Sequence, residues 1–259
     1  MSSRAFALAA SFFAASLLGA CGGGGGGDSG TSGTPSAPAV SPVAGAWQGT
    51  SAQGNALEAI VLDDGAAWLV ELTPGSLQPV AQMRATLQAS DGQLAANDVV
   101  YMDFAAQSGF RGALQGSYVQ NRSITAALQL AGASSAGPST LAPVPTATYD
   151  YSRPASLNDV VGNWLAVNGA QATVSATGSF VAVNGGCRVT GTVSPHSSGK
   201  NVFNLALAIG AAPCSTPGQS LTGVAVVWGT GANAQLLVTA QKDAGNNVYS
   251  MTNTFAKHQ

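Results

Sequence analysis

The chain has 259 residues, and only 8% of them are charged, against about 25% in a typical soluble protein. Nine Lys and Arg against eleven Asp and Glu give a net charge of −2, which provides no electrostatic footprint for nucleic acid and no polybasic patch for anionic lipid. Two histidines leave a zinc site or a histidine-based triad almost no material.

At the N-terminus Arg4 supplies a positive charge and Ala5 to Leu18 forms an apolar run. Such a run is too short to span a bilayer as a helix and has the length of a signal-peptide core. It ends in Leu18-Gly19-Ala20-Cys21, followed at once by Gly22 to Gly27. This quartet resembles a bacterial lipobox, with small residues before a cysteine that carries lipid. By that resemblance residues 1–20 are a signal peptide. Cys21 then bears a diacylglyceryl thioether and an N-acyl chain such as palmitate, enough to anchor stably where one chain would not. Gly22 in place of Asp implies sorting to the outer membrane in a Gram-negative cell. Residues 21–42 are the lipidated cysteine and a tether of Gly, Ser, Thr, Ala and Pro, broken only by Asp28 and Val40. The tether cannot bury enough apolar surface to order itself. Its typical reach is about 25 Å, with a taut limit of roughly 70 Å.

After Pro42 the pattern changes to short runs rich in Val, Leu, Thr and aromatics, punctuated by Gly, Asn, Asp and Ser. The run from Val202 to Ile209 places Phe203, Leu205, Leu207 and Ile209 at every second position. Period-two runs between frequent turn signals read as all-β. One short helix is expected near Ser156 to Val161, capped by Ser156. Gly45-Ala46-Trp47-Gln48 opens the first half and Gly162-Asn163-Trp164-Leu165 the second, which points to an internal repeat. Residues 43–148 and 149–259 are therefore expected to be two tandem β domains, with the Gly-, Ser- and Pro-rich stretch Ala131 to Thr148 as separator. Each half offers about six to eight strands, which favours a small antiparallel barrel or a sandwich. Trp47 and Trp164 are expected to plug the barrels where the chain enters them. With Cys21 acylated, Cys187 and Cys214 remain, and an even remainder in an exported chain reads as one disulfide. Two unpaired buried thiols are the alternative.

Several of these features together resemble two-domain lipoproteins of Gram-negative bacteria. They are the lipobox with its Gly tract, Asp63-Asp64-Gly65, Tyr149-Asp150-Tyr151 through Ser156-Leu157, and Gly186-Cys187 with Gly191-Thr192 and Cys214. The resemblance covers most of the chain. It implies the tandem β organisation and brings no activity with it.

Chemistry-bearing residues are sparse. His196 lies in a turn signal, and His258 is penultimate, where chains fray. Gly229-Thr230-Gly231-Ala232-Asn233-Ala234 fits a loose dinucleotide pattern. A strand-like run follows it where that mechanism needs a helix, so a hairpin turn is expected. Asp63-Asp64-Gly65 reads as a hairpin turn. Asp98 and Asp103 flank Tyr101, and Glu58 and Glu71 are expected to face each other across the Asp-Gly hairpin, the nearest thing to a glycosidase-like carboxylate pair. No catalytic, cofactor or metal residue is assigned. The expected function is a non-catalytic binding or interaction module displayed by its lipid anchor. Its partner would be a protein, a glycan or a small apolar molecule in a barrel mouth. A periplasm-facing assembly or structural factor is the alternative, and a carboxylate-based hydrolase stands third.

Overall fold

The computed structural model describes residues 40–133, 137–245 and 247–258. The expected signal segment, Cys21 and the expected tether up to residue 39 lie outside the described residues. The first half contributes β1 (Gly45–Thr50), β2 (Ala56–Val61), β3 (Ala66–Leu72), β4 (Pro79–Thr86), β5 (Gln88–Ser90), β6 (Gln93–Asp103), β7 (Ser108–Val119), β8 (Ser123–Leu130) and β9 (Ser139–Pro143). All neighbours are antiparallel. β1 pairs with β9, and β4 pairs with β6 from Ala81↔Asp103 to Arg84↔Val100, which closes a ring of eight strands. β5 continues β4 past Leu87 and stays on β6. Where the β6 ladder slips between Ala96 and Val99, the Asp98 carboxylate accepts the Thr86 N–H at 2.8 Å.

The second half contributes α1 (Leu157–Val160) and then β10 (Gly162–Ala166), β11 (Gln171–Val174), β12 (Ser179–Asn184), β13 (Cys187–Pro195), β14 (Phe203–Ile209), β15 (Ser220–Trp228), β16 (Gln235–Ala244) and β17 (Asn247–His258). These eight strands close as a second barrel, β17 returning to β10 through Asn163↔His258 to Ala166↔Phe255. The fold is thus two closed eight-stranded antiparallel barrels in tandem, and closure leaves neither sheet an exposed edge. The helix is the expected one, with a capping box between Ser156 and Asp159.

Two sequence expectations are corrected. The separator from Ala131 to Thr148 is not all linker, because β9 lies within it and supplies the closing strand of the first ring. Its Ser-Thr-Leu-Ala-Pro reads as loop by composition, but Leu141 is buried in the core. His258, expected at a fraying end, is instead paired with Asn163 in the closing ladder.

The two halves share specific devices. Trp47 Nε1 donates to the Val43 carbonyl at 2.9 Å, and Trp164 Nε1 donates to the Val160 carbonyl at 2.8 Å. Both indoles are buried at the end where the chain enters the barrel. Gly65 and Gly178 occupy the corresponding turns, with φ of +87° and +78°. A Cβ at Gly65 would lie 2.4 Å from the Leu87 oxygen, and at Gly178 2.1 Å from the Val193 oxygen. Only glycine fits both the backbone and the space. Cys187, at the start of β13, is disulfide-bonded to Cys214 in the loop between β14 and β15. That closes 27 positions and constrains the unfolded chain by about 3 kcal/mol.

Three apolar cores result. One lies inside each barrel, and the third lies between them. Outward-facing Ile60, Trp68, Val70 and Leu72 of the first barrel pack on Val224, Val226, Trp228 and Leu237 of the second. The connecting segment adds Val144 and Tyr149, whose ring lies 4.5 Å from that of Trp228. Tyr151 donates to the Asp63 carboxylate at 3.2 Å, so two of the sequence motifs meet at this seam. Gln82, wholly buried, accepts from Ser250 at 2.5 Å and from Thr252. The described residues from Val40 onward form one compact unit.

Candidate functional site

An eight-stranded ring is just wide enough for its side chains to fill the interior or to enclose one small ligand. The two barrels take opposite options. In the second, Trp164, Phe180, Phe203 and Phe255 converge with Leu205, Leu221 and Leu236, all almost fully shielded, and occupy the axis. In the first, the inward positions are mostly Ala, Leu and Val, and a cavity of about 460 Å³ remains. That volume falls in the range of about 300–1,000 Å³ typical of small-molecule sites.

The cavity has a polar mouth and an apolar shaft. Its mouth lies at the end formed by the β1–β2, β3–β4, β6–β7 and β8–β9 loops, which bring Ser51, Asn55, Glu71, Tyr101, Asp103 and Ser139 to the opening. The shaft runs past Leu57, Ala59, Leu69, Met83, Leu128 and Leu141 toward Leu87 and Leu94. Trp47 closes the core at the far end, where β1 begins.

Glu71 is the centre of the mouth. Leu57 pairs with Glu71 across β2 and β3, so the carboxylate points inward with the core. It is 8% exposed. Asn55 Nδ2 donates to Oε1 at 2.8 Å, and the Tyr101 hydroxyl donates a long bond to Oε2 at 3.4 Å. Asn55 is itself set by the β1–β2 turn: Ser51 N donates to the Asn55 carbonyl at 2.8 Å, and Asn55 N donates back to Ser51 Oγ at 3.2 Å. Burial, then the charges of Glu71 and Asp103, push the Tyr101 hydroxyl far above its ordinary value, so it stays protonated as a donor. One oxygen of Asp103 is engaged by the Ala105 and Ala106 N–H groups at 2.8 and 2.9 Å.

The expected pairing of Glu58 with Glu71 is overturned. The register sets Glu58 opposite Val70, on the outer face of the first barrel, while Glu71 is on the inner face. A one-residue offset in a strand pair reverses the side on which a side chain emerges. Glu58 instead lies at the seam beside Trp68, Val226 and Trp228. Its Oε2 has no hydrogen-bond partner among the described residues, and burial pushes its carboxyl up to about 7.

The remaining candidates sit where turns require them. His196 Nδ1 contacts Ser198 Oγ at 3.0 Å in the β13–β14 loop. Gly231–Asn233 form one 3₁₀ turn joining β15 to β16, which leaves no helix N-terminus for a phosphate. Asp63-Asp64-Gly65 is the β2–β3 turn, with Asp64 accepting the Ala66 N–H at 3.0 Å.

Sequence reasoning named Glu71 and a barrel mouth as a possible ligand site, but missed the partner Asn55 and which barrel holds the cavity. The available signal was the volume of inward residues: Ala67, two positions after Gly65, stands where the other half supplies Phe180, two positions after Gly178. Comparison with protein-family models, with curated proteins and with solved structures finds no match.

Proposed function

We propose that this chain is a cell-envelope lipoprotein, anchored through acylated Cys21, whose first barrel binds a small, largely apolar molecule while the second is a filled scaffold that braces it. The observation that carries the reading is the cavity of about 460 Å³ in one barrel and the aromatic fill of the other. Unfilled apolar space forfeits dispersion contacts. A barrel that could be packed like its neighbour, yet keeps this space, is best explained by an occupant.

The test is uptake of the fluorescent apolar probe N-phenyl-1-naphthylamine by the full chain carrying Cys21→Ser, which avoids detergent. Saturable binding with enhanced emission is expected. Ala81→Phe, which projects a ring into the cavity from β4, should abolish it while the far-ultraviolet spectrum stays that of β structure. No uptake by the chain with its native cavity sinks the proposal. The anchor is tested by incorporation of labelled palmitate in cells, which Cys21→Ser should eliminate.

A further inference from the structure

The mouth of the first barrel is acidic, with no cation among the described lining residues to balance it. Glu71 and Asp103 are the charged residues lining the cavity, and no Lys, Arg or His is among the described lining residues. The arginines of the strands concerned are turned away: Arg84 lies over the outer face of Trp68, and Arg111 pairs with Asp243 of the second barrel. Glu71 makes no ion pair among the described residues.

We infer that the cavity selects amphiphiles whose head donates hydrogen bonds, primary amines first and alcohols second, and rejects those with an anionic head. This rests on the ligand-binding reading above and adds the chemistry of the ligand. A carboxylate offers about four acceptor positions, of which Asn55 and Tyr101 take two, one per oxygen. The free positions can accept an ammonium or a hydroxyl seated at the mouth, with the apolar body in the shaft. Asn55 and Tyr101 fix the orientation of the carboxylate, so little ordering is left for the ligand to bring about. A carboxylate or phosphate head at the same place would meet Glu71 and Asp103 with no compensating cation, and an unpaired buried charge is strongly disfavoured. The negative net charge of the chain works in the same direction at long range.

The experiment is displacement of N-phenyl-1-naphthylamine from the full chain carrying Cys21→Ser by decylamine, decanol and decanoate, each below its micellar concentration. The three share one apolar body and differ only in the head. Decylamine is expected to displace the probe at a concentration at least about tenfold below decanoate, the size of a charge-assisted hydrogen bond. Decanol should fall between them. Glu71→Gln should collapse the amine-to-carboxylate ratio toward unity, the ratio being taken within the variant so that any change in its probe affinity cancels. If the probe binds but decanoate matches or exceeds decylamine, charge selection is overturned and the cavity reading survives. If amine preference persists in Glu71→Gln, the selecting group is not Glu71 and the inference fails. If the native chain takes up no probe, the ligand-binding reading falls and this inference with it. The comparison among heads in the native chain decides the matter even should the variant not fold.

Discussion

Glu58 and Glu71 show how far one residue of register carries. Glu71 is held by donors at a solvent-facing mouth, whereas Glu58 is pressed between two barrels with one oxygen unpartnered. For Glu58 the folded value, about 7, lies above the ordinary 4.5. As pH rises the unfolded chain therefore releases this proton before the folded chain does. Stability from this group is complete below about 4.5, declines between about 4.5 and 7, and is lost above. The loss is expected to be about 3 kcal/mol, read as a lower urea midpoint above pH about 8 than near about 5. Glu58→Gln should flatten that slope. An unchanged slope would mean that other groups produce it.

The repeated opening of each barrel is an element-scale device: a buried tryptophan reaching back four residues, then a hairpin turn with glycine against a passing strand. Gly178 and Gly169 separate its two requirements. Both have positive φ, but a Cβ at Gly169 would meet nothing within 4 Å, whereas at Gly178 it would collide with the Val193 oxygen. Gly169→Ala should cost about 1 kcal/mol, the backbone part alone. Gly178→Ala should cost about 3 kcal/mol or more, since backbone must move as well. Equal losses in urea unfolding would show that the close approach is relieved cheaply.

At the scale of the whole molecule the seam makes two barrels one body. β15 and β16 are buried on both faces over Val224 to Trp228 and Leu236 to Gln241, because inward residues fill the second barrel and outward residues meet the first. One thermal transition is expected for the native chain, with calorimetric and van't Hoff enthalpies in agreement. Val226→Asp would bury an unpaired charge in the seam, costing about 3–5 kcal/mol, and should split the melt into two. Two transitions in the native chain would show that the barrels are energetically independent. No residue of the second barrel is among the described residues that line the cavity of the first.

All-β character, two halves, the Trp-led openings, the short capped helix and the pairing of Cys187 with Cys214 were legible along the chain. Each depends on local matters: side-chain period, turn chemistry, a cap, an even cysteine count. Glu71 could be named from sequence but not aimed, because the face on which it emerges is set by pairing register, which no single strand contains. β9 could not be told from linker by its composition, since its place is fixed by the gap between β1 and β8. The cavity was least visible of all. Whether a ring of eight strands is hollow depends on the sum of inward volumes from all its strands, and only closure decides which residues point inward together. Sequence thus determined most of the elements and their division into two halves. The tertiary structure decided which barrel is filled, which is open, and which carboxylate stands at its mouth.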